Sequence, residues 1–162
     1  MAEHPVQPLA VGMQAPDFLL PAHNGGEIRL SNYRGSNPVV LFFVREYNCM
    51  QCRAMVTQLG QRYGDFLAAG AEVFVIIGES IERAQRYAQL MQTPFRVLVD
   101  PQREVYHRYG LHKAVFVVQR TAAVVIDKQG VLCYFKTTAN ATTWLQEAPQ
   151  LLETLRSLYA PQ

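Results

Sequence analysis

The chain is poor in cysteine, with three in 162 residues and two of those close together. That is too few for a disulfide-stapled scaffold of the secreted kind. No apolar run approaches the length of about 20 residues that a membrane-spanning helix needs. The first residues, Met-Ala-Glu-His-Pro, lack a basic stretch leading into an apolar one, so no secretion signal is expected. Charge of a single sign is also missing. The net charge is +2 and no long basic run occurs, which gives no case for nucleic acid or an anionic membrane surface. There is no internal repeat, no phosphate-cradling glycine loop, no Ser-His-Asp set and no paired-carboxylate site. Four histidines, His4, His23, His107 and His112, show no metal-ligand or nucleophile-base spacing.

What remains is an ordinary globular composition, 49% hydrophobic and 17% charged, in a chain long enough to bury a core without staples. Residues 1–11, with Pro5 and Pro8, read as a loose arm, and residues 12–162 as a single domain. Reduced thiols in such a chain point to a cytoplasmic setting.

Short continuous apolar runs predict buried strands at 38–44, 73–77 and 95–99, and a further short strand is expected at 27–30. Between them, helices are expected at 49–68, closed by Gly70, and at 81–91, capped by Ser80 with Glu82 in the first turn. A short helix follows at 104–109. Apolar stretches at 114–118, 122–126 and 131–135 follow, the last two joined by the Asp127-Lys-Gln-Gly130 turn as a hairpin. A last helix is expected from Thr143, where Thr143 and Gln146 match a capping box, with Pro149 opening or kinking it. Strand and helix alternate and a hairpin follows, so the fold class is α/β with a central mixed sheet flanked by helices.

Cys49 and Cys52 form a C-x-x-C where the 38–44 strand gives way to the first helix. Unpaired backbone N–H groups and the positive end of the helix dipole favour a thiolate there, and the thiolate is the nucleophile. Redox chemistry is the leading reading. A zinc site would need four ligands, and no second C-x-x-C or H-x₃-H follows, so no metal is expected. Cys133 lies alone in the hairpin and is expected to be an inert buried thiol. Arg45 and Glu46 are expected to be solvated neighbours of the pair. Arg53 is turned away by the helix, and Tyr47 and Trp144 are core or its neighbours.

Several stretches resemble the peroxiredoxin-like (alkyl hydroperoxide reductase and thiol-specific antioxidant) branch of the thioredoxin superfamily. Gly12-Met-Gln-Ala-Pro-Asp-Phe18 is similar to its G-x-x-A-P-D-F opening, and Leu30-Ser-Asn-Tyr-Arg-Gly35 to its L-S-d-y-r-G lead into the first central strand. Val99-Asp-Pro101 with Tyr109-Gly110 resembles its s-D-p … Y-G stretch, and Arg120 to Asp127 with Gly130 its R-a-t-f-v-I-D-x-x-G stretch. The resemblance implies a thioredoxin-like fold with a peroxiredoxin-type N-terminal extension. It departs at the P-x-x-x-T-x-x-C motif, where Cys52 takes the attacking position but Cys49 replaces the threonine and Arg45 the proline.

What the resemblance implies about activity is a peroxidase that reduces hydrogen peroxide or organic hydroperoxides through a Cys49/Cys52 dithiol-disulfide cycle. Arg120 would be the supporting cation, with no cofactor beyond electrons from a thioredoxin or glutaredoxin system. A homodimer is a further expectation. Two alternatives stay open: a thioredoxin-like disulfide reductase, in which Cys49 attacks first, and a non-enzymatic redox sensor or binding module.

Overall fold

The computed structural model describes residues 8–114, 118–138, 144 and 147–159. A five-stranded sheet in the order β5-β4-β3-β8-β9 carries the fold. Its parallel half is β3 (Val39–Phe43), β4 (Glu72–Ile77) and β5 (Arg96–Val99), and its antiparallel half is β8 (Thr121–Ile126) and β9 (Leu132–Thr138). The all-apolar runs Val39 to Phe43 and Val73 to Ile77 belong to strands buried on both faces, which is why they read as continuous rather than alternating. This is the expected α/β class with a thioredoxin-like arrangement.

Alternate residues of each strand feed two cores. Val40, Phe42, Val44, Val75 and Ile77 face α1 (Met50–Gln61), α2 (Tyr63–Ala68), α3 (Ile81–Met91) and α5 (Ala148–Leu158). Leu41, Phe43, Phe74 and Ile76 face α4 (Glu104–Arg108) and the N-terminal segment, which contributes Ala15, Phe18, Leu20 and Ile28. That segment forms a small hairpin, β1 (Leu19–Pro21) with β2 (Glu27–Arg29), turning at Gly25 and Gly26, and leads into a 3-10 turn at Leu30–Tyr33. It also borders both rims of the sheet. Gly12 donates to the Leu132 carbonyl (2.8 Å) and Leu132 donates to that of Met13 (2.9 Å). On the far rim the His23 N–H donates to the Val97 carbonyl (2.8 Å), and the His23 Nδ1 accepts from the Val97 N–H (3.0 Å).

Two expectations change, and one left open is decided. The single helix over 49–68 is two: Arg62, at φ −106 and ψ 12, breaks it between Gly60 and Gly64, which hold helical geometry weakly. Cys133 is the extra residue of a β-bulge, since Ile126 pairs with Leu132 and Val125 with Tyr134. The bulge leaves Cys133 partly exposed rather than buried. Pro149 opens α5, which starts at Ala148. Thr143, Gln146 and the centre of the expected 114–118 strand lie outside the described residues, and that strand's flanks form a two-residue pair, β6 (Lys113–Ala114) with β7 (Val118–Gln119).

Candidate active site at the cysteine pair

The cysteines sit where the sequence pattern puts them. Cys49 is the N-cap of α1, its Sγ accepting the Cys52 N–H at 3.2 Å, and Cys52 lies in the first turn. Their Cα atoms are 5.2 Å apart and the sulfurs are bonded as a disulfide. Both side chains are buried, Cys49 1% exposed and Cys52 0%. The Arg45 N–H, on the loop between β3 and α1, points at the Cys52 Sγ (3.5 Å). A donor aimed at sulfur and the amino end of a helix are both features that favour a sulfur anion.

Side chains hold that loop. Arg53 donates to the Tyr47 carbonyl through Nε (3.2 Å) and Nη2 (2.9 Å) and lies over the Tyr47 ring, so it braces the loop and turns away from the sulfurs. Arg83 covers the same ring from α3, its guanidinium 4.4 Å from the centroid. Arg45 and Glu46 pair at 3.5 Å, but the Arg45 Nε is buried and has no partner among the described residues, so Arg45 is more than the solvated neighbour expected.

Two residues that sequence reasoning passed over reach this loop from the opposite face of the sheet. The Tyr106 hydroxyl, on α4, lies 2.6 Å from the Val44 carbonyl oxygen and 3.0 Å from that of Ile76, and accepts from the Gly78 N–H. Burial raises its phenol far above the ordinary tyrosine range, so it is a neutral donor at any working pH. Arg103 lies over the Tyr106 ring (4.8 Å) and donates through Nη2 to the Arg45 carbonyl (3.2 Å). Its backbone is left-handed, φ 57, an uncommon state for a side chain of this size. The signal available in the sequence was only Asp100, whose carboxylate caps α4 by accepting from the N–H groups of Glu104, Val105 and Tyr106.

Arg120 sits between β7 and β8, half-buried. The β3–β8 register ends at Phe43↔Ala122, two residues short of it. Among the described residues its guanidinium makes no hydrogen bond to either sulfur. From Arg120 to Asp127 the chain carries one residue more than the R-a-t-f-v-I-D stretch it resembles. Thr121 is the residue turned to the α1 side, where its Oγ1 accepts from the Trp144 Nε1 (2.6 Å) and Gln58 of α1 donates to the Trp144 carbonyl (3.0 Å). Burial and the Asp127 carboxylate push the Cys133 thiol up to about 11. Among the described residues no group of three or more metal-ligating side chains gathers, and no helix is long and apolar enough to cross a membrane.

The chain is 30% identical over 122 residues to a chloroplastic peroxiredoxin Q of Sedum lineare, a match covering 75% of this chain and 65% of that protein. It is 28% identical over 149 residues to the thiol-disulfide oxidoreductase ResA of Geobacillus thermodenitrificans, covering 91% of this chain and 79% of that one. The chain therefore spans less than two thirds of the length of the chloroplast relatives, 57% for the Triticum aestivum protein. In three dimensions it superposes on the crystal structure of peroxidoxin BcpB from Mycobacterium tuberculosis with a TM-score of 0.82, at 22% identity, over 93% of this chain and 98% of that one. That likeness speaks for the fold. A family model, described as the AhpC/TSA family, matches residues 11–135, and the chain belongs to that family.

Proposed function

We propose that the protein is a thiol peroxidase in which Cys52 attacks and Cys49 resolves. The observation that carries this reading is the Arg45 N–H directed at the Cys52 Sγ in the first turn of α1, with a second sulfur already in bonding position. The Cys52 thiolate takes the terminal oxygen of a hydroperoxide, and the O–O bond breaks. The departing oxygen collects a proton and leaves as water or an alcohol. The sulfenic acid on Cys52 then condenses with the Cys49 thiol, releasing water and forming the disulfide. Two electrons and two protons from a dithiol partner, of the thioredoxin or glutaredoxin type, return both thiols. Arg120 is assigned the supporting cation by its place in the family stretch. Cytoplasmic residence, where such reductants keep thiols reduced, and assembly as a homodimer belong to the same proposal.

Stopped-flow oxidation by hydrogen peroxide tests it. Cys52→Ser should abolish the fast phase, Cys49→Ser should keep one oxidation but not turn over, and Arg120→Ala should slow the first step. A full-rate Cys52→Ser variant would remove Cys52 from the attacking role. The likeness to ResA over most of the chain favours one second reading, disulfide reduction with Cys49 attacking first. In that case Cys49→Ser loses insulin-type disulfide reduction, and peroxide leaves the wild type unreacted.

A further inference from the structure

The residue that donates to the Cys52 sulfur is itself held by Tyr106 and Arg103. The Arg45 N–H and the Val44 carbonyl belong to one peptide unit. Its N–H points at the Cys52 Sγ (3.5 Å), and its oxygen lies 2.6 Å from the Tyr106 hydroxyl. Because Tyr106 accepts from the Gly78 N–H, its own proton is available for the nearer carbonyl, that of Val44. The next peptide oxygen, of Arg45, receives the Arg103 Nη2 (3.2 Å). Arg103 reaches this point only by adopting a left-handed backbone at φ 57 and laying its guanidinium on Gly78, where any Cβ would stand 2.7 Å from the Cζ. Its Nη1 is buried without a partner among the described residues. A strained backbone and an unpaired buried donor both work against folding, so something else must hold this arrangement in place.

We propose that Tyr106 and Arg103 are positioning residues for Cys52. They clamp and polarise the 44–45 and 45–46 peptides so that the Arg45 N–H stays aimed at the sulfur and stabilises its thiolate. Hydrogen bonds in series strengthen one another, and a phenol donating to the carbonyl of a peptide makes that peptide's N–H a better donor. Three other charged side chains on the elements around the pair have partners. Arg45 pairs with Glu46, Arg53 goes to the Tyr47 carbonyl and Arg83 pairs with Glu79. Arg120 makes no hydrogen bond to the loop among the described residues. Arg103 is the cation whose hydrogen bond falls on the sulfur's own donor residue.

This inference rests on the assignment of Cys52 as the attacking thiol, and its test is kept separate from peroxide turnover. In a Cys49→Ser, Cys133→Ser background the Cys52 thiol is titrated by thiolate absorbance at 240 nm and by its iodoacetamide rate across pH. Tyr106→Phe and Arg103→Gln should each lower the alkylation rate at pH 7 by about three- to tenfold and shift the titration upward to match. At alkaline pH, once the thiol is ionised in every variant, the rates should converge. Arg103→Lys should restore most of the loss. Titration curves that overlay the parent's in both Tyr106→Phe and Arg103→Gln would overturn the proposal, whatever happens to peroxide reduction. Conversely, background peroxide rates combined with the expected titration shift would sink the peroxidase reading and leave this one standing. Should Tyr106→Phe fail to fold, the Gln and Lys variants of Arg103 decide alone.

Discussion

Gly78→Ala is a substitution of one methyl group whose consequence follows from the position of Arg103. The added Cβ would lie 2.7 Å from the Arg103 Cζ, 2.8 Å from its Nε and 3.0 Å from its Nη2. Ordinary carbon contacts begin near 3.5 Å, so the guanidinium has to retreat by about 1 Å. The bond from Nη2 to the Arg45 carbonyl, already 3.2 Å, would then be broken. Losing a hydrogen bond from a charged donor removes about 1.5–3 kcal/mol. Gly78 does not lie in the left-handed region, so alanine is tolerated by the backbone and returns about 0.4–1 kcal/mol by restricting the unfolded chain. The net loss is about 1–2 kcal/mol, or about 2–8 °C in Tm for a chain of this size. Calorimetry or urea unfolding measures it. The decisive arm is a double-mutant cycle with Arg103→Gly, which removes the obstructing side chain and suits the left-handed backbone. In that background Gly78→Ala should become stabilising. A loss of the same size with and without Arg103 would refute the steric argument.

Three further outcomes are expected. Thr121→Val leaves the Trp144 indole N–H buried without its acceptor, which should lower stability by about 1–3 kcal/mol, read from the fluorescence of the chain's single tryptophan in urea. Ser80→Ala removes the side chain that accepts from the Arg83 N–H at the start of α3, for a loss of about 1 kcal/mol measurable by thermal unfolding. Cys133 binds its proton more tightly in the folded chain than in the unfolded one, with the thiol pushed up to about 11. The stability this contributes is complete below the ordinary thiol range and is lost as pH rises from there to about 11. Unfolding midpoints of wild type and Cys133→Ala should therefore diverge with pH over that window, against the wild type. Parallel curves would reject a shifted thiol.

Local signals marked the elements well wherever they were complete. α3 runs from Ile81 to Met91 as expected because Ser80 caps it and Glu82 suits its first turn, even though its end is a left-handed Gln92 rather than a glycine. The strand-to-helix junction at the cysteines was legible because a fully apolar run changes to helical spacing within a few residues. β1 was not, since Leu19–Pro21 has three residues and only Leu20 turned inward, too short for any period to show. The break at Arg62 left only two glycines as a trace. The Tyr106 and Arg103 contacts had no local mark at all. They depend on α4 packing beneath the ends of β3 and β4, a relation between residues separated by 62 and 58 positions. Arg120 was proposed through a family stretch that carries one residue fewer, and spacing of that kind says which residues are near a site, not which way each one turns.

The bonds from Gly12 and His23 to the two outermost strands have a colloidal consequence. A bare strand border invites a neighbouring molecule to add its own strand, and here the amino-terminal segment occupies part of each border in advance. On the β5 side the guard includes an imidazole nitrogen, whose lone pair exists only while the ring is neutral. Burial lowers that ring's proton affinity, so the guard persists to a more acidic pH than an exposed histidine would allow. Trimming the chain through residue 23 strips both borders and favours self-association through paired strands, whereas protonating that imidazole frees only the Val97 N–H on the β5 side.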